Sequence, residues 1–343
     1  MKKVLKRVLF VFLGVLGVSL ISFVIIYFNV IRTFFSVKQI SNAPAYYVHV
    51  YGDFWFDDYL KNGVKNSSEL ESFISGKLTL GLYKPDTSKN HGCSSFFAKT
   101  PDGDYILAQD LDLCIENPHM PIVAEYQKNK KIYAIGDMNF LTTECPKMTA
   151  FNKILTNAVP YITENGMNQD GLAVAVATAA ESDYKNQSSK TTLIDCTLQT
   201  AVLSNASNVE EAIQYLKKYN VTPSSTALLH LMIADAKGNC AVVEWAKGSM
   251  QVLRCDGNYQ IMANFILYQN SQHTGFGSDR YQAYEESLGN CKGVLTEKEA
   301  MNLLEKNTIK NDEDWSVVYN LTKKKISVCF YGDYEHTYTY SFS

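Results

Sequence analysis

The stretch from Val8 to Ile31 constrains this chain more than any other. It runs 24 residues without a charge, directly behind Lys2, Lys3, Lys6 and Arg7. As a helix, a run of that length crosses a bilayer. A removed secretory signal has a shorter apolar core and ends at a small-residue cleavage site. Here the run closes in Tyr27-Phe28-Asn29-Val30-Ile31-Arg32, with no Ala-x-Ala pattern. Residues 1–34 therefore read as a cytoplasmic basic tip and an uncleaved signal anchor, with a cleaved signal peptide as the alternative. Positive charge in front keeps the N-terminus in the cytoplasm and sends the remainder outside. The expected location is the cell membrane, single-pass, with the globular part extracytoplasmic. No polar face interrupts the run, which argues against a helix of a soluble core.

The remaining chain is long enough for one large domain, at 343 residues in all and 46% hydrophobic content. A net charge of −3 gives nucleic acid no foothold, and 22 tyrosines with 17 phenylalanines suit a sheet-rich fold. Cysteines stand at 93, 114, 145, 196, 240, 255, 291 and 329, and none forms a C-x-x-C pair, so a zinc site is disfavoured. Cys240 and Cys255 flank two strand-like runs around Lys247-Gly248 and face each other there. The reading leaves open a cross-strand disulfide or two thiols.

Residues 35–92 read as a separate helical segment, with Ser68 and Glu71 as a capping box ahead of Leu70, Phe73 and Ile74. From Cys93 onward strands dominate. "GLAVAVATA" is apolar throughout, as in a strand buried on both faces. "ALLHLMIADAKGNCAVVEWAKGSMQVLRCDGNYQIMAN" reads as a four-strand meander. Between the strands lie helices with expected caps at Ser207 and Thr296. Strand runs interspersed with helix pairs predict an α+β fold with antiparallel sheets beneath helical layers.

The segment "HGCSSFFAKTPDGDYILAQDLDL" carries the chemistry. Asp102-Gly103 is read as a two-residue type I′ hairpin turn. In that register Lys99 faces Ile106, Phe97 faces Ala108, Ser95 faces Asp110 and Cys93 faces Asp112. Opposed residues have Cβ atoms roughly 4.5–5.5 Å apart, so a thiol would meet a carboxylate. A negative neighbour disfavours a thiolate. The pairing makes sense if Cys93 also bears a free α-amine, made by cleavage of Gly92–Cys93, that Asp112 orients and that serves as base for its own thiol.

These residues resemble the choloylglycine hydrolase family of N-terminal-nucleophile hydrolases, which includes bile salt hydrolases, penicillin V acylases and the related acid ceramidases. "GCSSF" resembles the family's nucleophile start, and "LAQDLDL" its "GRNLD" segment. "GMNQDGLAVAVATAA" resembles "GMNEKGLAVAGLN", and "LLHLMIADAKGNCAVVEW" resembles "PLHWLIADKSGKSIVVEY". "MAN" resembles "LTN", and "GSDRY" the "SSxSRF" motif. Each motif is short; their shared order from His91 to about residue 335 carries the likeness.

The resemblance implies a four-layer αββα sandwich over residues 93–343 and hydrolysis of a linear non-peptide C–N amide. Cys93 would be the nucleophile, Asp112 the residue orienting the amine and thiol, Asn264 the side-chain oxyanion donor and the Thr178 N–H the second donor. Arg280 would stabilise the thiolate. The family's arginine falls on Gln109 and its asparagine on Asp110, two substrate-facing positions, so the usual substrate contacts are altered. Thr178 stands where bile salt hydrolases have Asn and penicillin V acylases have Tyr, which supports neither substrate. Residues 35–92 would be a prosegment, freed by autocleavage while remaining on the membrane. Expected partners are a small N-acyl amide and the membrane, with no nucleic acid and homo-oligomerisation left open. No cofactor or metal is expected. His230 and Glu244 read as core residues. Two rivals stand beside this reading: a catalytically silent binding protein on the same scaffold, and a Cys-His hydrolase using Cys93 with His91 or His230.

Overall fold

The computed structural model describes residues 2–87, 92–112, 119–180, 182–309 and 313–342. His91 and Cys114 lie outside them. The strands are β1 (Lys38–Gln39), β2 (Tyr46–Val50), β3 (Gly92–Lys99), β4 (Tyr105–Asp112), β5 (Pro121–Gln127), β6 (Lys131–Asp137), β7 (Asn165–Asn168), β8 (Ala173–Ala179) and β9 (Thr192–Ile194). They continue with β10 (Asn220–Thr222), β11 (Leu228–Ala234), β12 (Cys240–Ala246), β13 (Ser249–Arg254), β14 (Gln260–Met262), β15 (Glu313–Asn320), β16 (Lys325–Phe330) and β17 (Tyr338–Ser341). The helices are α1 (Lys2–Ser36), α2 (Phe56–Asn62), α3 (Ser67–Leu78), α4 (Ala150–Leu155), α5 (Leu198–Asn205), α6 (Val209–Leu216), α7 (Ser278–Asn290) and α8 (Glu297–Asn307).

Among the described residues a nine-stranded sheet runs β1-β2-β5-β6-β7-β8-β11-β12-β13, and a six-stranded sheet runs β14-β3-β4-β15-β16-β17. Strands β3 and β4 pack on β8 across the interlayer; α5 and α6 cover the first sheet, and α7 and α8 the second. The expected αββα layering is present. The apolar run of "GLAVAVATA" becomes β8, at the centre of the larger sheet between β7 and β11.

The β3–β4 hairpin closes differently from the sequence reading. Thr100 N–H donates to Asp104 O at 2.7 Å and Gly103 N–H to Thr100 O at 2.9 Å. Gly103 takes φ +92° while Asp102 stays at negative φ, so this is no type I′ turn. Pro101 is the reason: its fixed φ suits the second position of a type I turn, which leaves Gly103 as the left-handed residue. The three-residue loop shifts the register by one. Cys93 pairs with Leu111, Ser95 with Gln109, Ser94 with Asp110, and Gly92 with Asp112. Because side chains alternate along a strand, Cys93 and Asp112 lie on opposite faces of the hairpin.

The expected meander is also only three strands long in one sheet. β11, β12 and β13 pair in sequence, but β14 crosses to the second sheet and pairs with β3, Met262 opposite Ser95. That crossing carries Asn264 to the strand that bears Cys93. Two caps differ from expectation by one or two residues. Asn66, not Ser68, accepts from Glu69 N–H, and Asn208, not Ser207, accepts from Glu211 N–H. Thr296 caps α8 as read, and Glu299 completes a capping box with it.

No single helix among the described residues is long and apolar enough to cross a membrane. The stretches Phe12–Ser19 and Val24–Ser36 pass together by length and composition, bent by 46°. The second half is partly committed to the body: Thr33 is fully buried, Thr33 Oγ1 accepts from Tyr51 N–H, and the Arg32 guanidinium lies 3.8 Å from the Tyr51 ring centre. Within the span 1–34 expected to be an anchor, the protein-facing part of α1 begins near Tyr27.

Residues 35–87 are not purely helical and are built into the sandwich. β2 pairs in parallel with β5, and Phe56, Tyr59, Leu70 and Ile74 are core residues. Tyr59 Oη accepts from Ile194 N–H, Tyr161 Oη donates to Phe54 O, and Val64 N–H donates to Thr192 O. If the chain is cut between Gly92 and Cys93, residues 1–92 are expected to stay bound to residues 93–343. Native size-exclusion chromatography should show the two pieces co-eluting, and separating only in denaturant; two native peaks would contradict this packing.

Candidate active site

β3 starts at Gly92 and enters the protein core at once. Cys93 is fully buried, and its N–H donates to Asn264 Oδ1 at 2.9 Å. The same oxygen accepts from Arg280 Nη2 at 2.9 Å, while Arg280 Nη1 donates to Asp112 Oδ2 at 2.7 Å. Arg280 and Asp112 are 5% and 0% exposed, so this is a buried ion pair with its donors engaged. Asp112 Oδ1 accepts from Thr308 Oγ1 and Ile309 N–H, both at 3.4 Å. Asn264 Nδ2 donates across the interlayer to Thr178 O at 3.3 Å.

Arg280 reaches this position because of Gly277. That residue precedes α7 with φ +76°, and a Cβ there would sit 2.8 Å from Arg280 Nη2. Only glycine allows both the left-handed backbone and the returning guanidinium. Of the expected site residues, Cys93, Asp112, Asn264, Arg280 and Thr178 are thus linked in one chain of contacts. The link differs from the expected one: Asp112 reaches Cys93 through Arg280 and Asn264 and through the neighbouring Gly92, not across a shared face.

Burial pushes the Cys93 thiol well above the ordinary thiol range, and the carboxylates of Glu164, Asp112 and Asp110 add to the rise, with Arg280 opposing. Glu164 is itself buried, and burial together with Asp195 and Asp137 raises its carboxyl well above the usual range. The thiol in the uncut chain is therefore neutral and needs a base.

Gln109 and Asp110 do not face a common substrate surface. Both are fully buried. Gln109 Nε2 donates to Val176 O at 2.6 Å, and its Oε1 accepts from Asn165 Nδ2, whose Oδ1 accepts from Tyr319 Oη. Asp110 points to the opposite face, where Ser316 Oγ donates to it at 2.7 Å. A neutral network between the sheets thus fills the position of the arginine in the "GRNLD" motif.

His230 and Glu244 are buried, as expected, but they also position the site. His230 Nε2 lies 2.7 Å from the carbonyl of Ala263, the residue before Asn264, and Nδ1 lies 3.0 Å from Glu244. Glu244 in turn accepts from the N–H groups of Leu267 and Tyr268. The sequence could have signalled this only through the pairing of β11 with β12, which brings the two residues together. A cleft of ≈ 520 Å³ opens two residues beyond Asn264, lined by the apolar Ala246 and Ile266, by Tyr268, by the charged Asp183 and Lys247, and by the polar Gln269, Asn270 and Thr274.

A second cluster was invisible in the sequence because its members come from three separate elements. His119 Nδ1 lies 2.6 Å from Asp314 Oδ1 and 3.9 Å from Asp137 Oδ2. Their ligand atoms all fall within 4.8 Å of one another, a set that could hold a metal ion.

The layering, with a cysteine at the head of an inner strand, defines the N-terminal-nucleophile fold class. The family follows from residues 93–292, which match the linear amide C–N hydrolases, choloylglycine hydrolase family. That match covers more than half of the chain, and the protein belongs to this family. A penicillin V acylase of Pectobacterium atrosepticum is 34% identical over 113 residues, which is 30% of this chain and 30% of that relative's length. A mutant conjugated bile acid hydrolase from Clostridium perfringens superposes with TM-score 0.51 at 16% identity, covering 73% of this chain and 92% of its own. A penicillin V acylase from Agrobacterium tumefaciens gives 0.50 at 18% identity, over 69% and 83%. At these identities the structural likeness speaks for the fold.

Two outcomes follow from this electrostatics. Asp112→Asn leaves a buried guanidinium without its counter-charge and should destabilise the protein by about 3–5 kcal/mol in urea unfolding, more than the double variant with Arg280→Gln. Asp195, buried beside Glu164, has its carboxyl pushed up from 3.8 to about 6 by burial. The folded protein then holds a proton that the unfolded chain releases, so stability falls as pH rises from about 4 to about 6, by roughly 3 kcal/mol. Urea midpoints across that range should decline, and Asp195→Asn should flatten the decline.

Proposed function

We propose that this protein is a membrane-anchored, extracytoplasmic amidase that hydrolyses a linear N-acyl amide with Cys93 as nucleophile, after cleavage at Gly92–Cys93. The observation that carries the reading is the hydrogen bond from Cys93 N–H to Asn264 Oδ1, beside the Arg280–Asp112 pair. Cleavage would turn that nitrogen into an α-amine already held in place.

In the maturation step the Cys93 sulfur attacks the Gly92 carbonyl, its thiol proton passes to the Cys93 nitrogen, and the peptide C–N bond breaks, leaving a thioester and a freed amine. Water then releases the Gly92 carboxylate. In turnover the amine takes the thiol proton, which burial holds more tightly than in a free cysteine. The thiolate attacks the substrate carbonyl. Asn264 Nδ2 and the Thr178 N–H hold the oxyanion, and the ammonium returns its proton to the leaving amine. Water cleaves the resulting thioester. Gln109 is spent on Val176 and Asn165, so recognition of a carboxylate-bearing acyl group at that position is not supported. His230 has both ring nitrogens committed to Glu244 and Ala263, which weighs against a Cys-His mechanism using it. Anchoring rests on the basic tip and the apolar half of α1.

N-terminal sequencing of purified protein should give a sequence beginning at Cys93 beside that of the bound 1–92 piece, and Cys93→Ala should leave the 343-residue chain whole and inactive on a panel of acyl amides. Turnover by an uncut chain would refute the amine-base mechanism. Asn264→Ala is expected to lower kcat by about 10²–10³-fold. An unchanged kcat would remove Asn264 from the oxyanion site.

A further inference from the structure

We infer that the loop following α3 is a membrane-dipping wedge, so that the catalytic body rests against the lipid surface at the foot of its anchor. The inference depends on the anchoring of α1. Outside α1, the exposed large apolar side chains among the described residues are Leu80, Leu82, Phe151 and Phe276. Phe276 stands at the site, its ring against Gly92 and Arg280. The other three gather around α1. Tyr27 Oη donates to Lys77 O, three residues before Leu80. α4, which carries Phe151, packs on α1, and the Phe151 ring meets Tyr83 at 5.1 Å.

The leucines are held outward by a built loop. Leu80 takes φ +54°, a left-handed conformation disfavoured for a branched side chain. Gly81 N–H donates to Ser75 O, Leu82 N–H to Thr79 O, and Tyr83 N–H to Thr79 Oγ1. Leu80 and Leu82 remain 66% and 89% exposed. A strained, hydrogen-bonded turn that presents two leucines to the outside calls for an apolar cover. The exposed apolar surface of α1 runs from Leu9 to Phe35, and the contact of Tyr27 with Lys77 sets this loop beside it, so the lipid that would surround the one continues onto the other. Tyr27 sits at the junction, where aromatic side chains favour the headgroup level.

The test uses the full chain in phosphatidylcholine vesicles whose acyl chains carry bromine either near the headgroups or deep in the bilayer. Tryptophan emission is compared for Leu82→Trp, Leu80→Trp, Phe151→Trp and Leu16→Trp, each after subtraction of the native Trp55, Trp245 and Trp315 signal. The expected result is at least about twofold quenching of the new Trp at 82 and 80 by shallow bromines, and quenching at 16 by deep ones. Quenching at 16 without quenching at 80, 82 and 151 overturns the wedge while leaving the anchor. No quenching at 16 overturns both. Phe151→Trp keeps the question answerable if the loop variants misfold.

Discussion

A single buried guanidinium organises this end of the sandwich. Arg280 carries a full charge into a place where water does not follow, at a penalty of several kcal/mol per ion that only good geometry offsets. Asp112 on β4, Asn264 after β14 and Ser94 on β3 all lie within its reach. The charge also sets the asparagine's orientation. Because Asn264 Oδ1 accepts from both Arg280 and Cys93 N–H, its Nδ2 must turn toward Thr178. The amide donor that an oxyanion would use is thus aimed by electrostatics before any substrate arrives.

The thiol itself is in an unfavourable place for ionisation. Three acidic residues and full burial act against a thiolate, and one arginine acts for it. Where the family motif supplies another arginine, this chain has Gln109, locked into neutral hydrogen bonds between the sheets. A nucleophile in such surroundings must bring its own base, and an amine on the same residue is the shortest route to one. The proposed cleavage and the local electrostatics therefore ask for the same chemistry.

Much of this was legible in the residues. Cys93, Asp112, Asn264, Arg280 and Thr178 were all named from motif order, and the Thr296 cap and the doubly buried β8 from pattern alone. What failed was geometry that depends on one residue's backbone or on a change of sheet. Asp-Gly suggested a two-residue turn, and Pro101 made it three. Turn-separated apolar runs suggested a four-strand meander, yet nothing local in Asp256-Gly257-Asn258 says that the next strand leaves for the other sheet. Ser68 and Ser207 were plausible caps, but Asn66 and Asn208 stood nearby with side chains that reach the free N–H groups equally well. The His119–Asp137–Asp314 cluster needed the tertiary fold, since its members lie far apart in sequence.

The turn at Pro101 has a reach out of proportion to its size. Strand parity is inherited along the whole ladder from the place where the chain reverses. An odd loop sends Gln109 inward toward Val176 and Asp112 outward toward α7; an even one would exchange them, leaving the guanidinium facing leucine and a carboxylate wedged among alanines. The division of labour between the two sides of β4 is decided at the far tip of the hairpin, by a ring that touches neither.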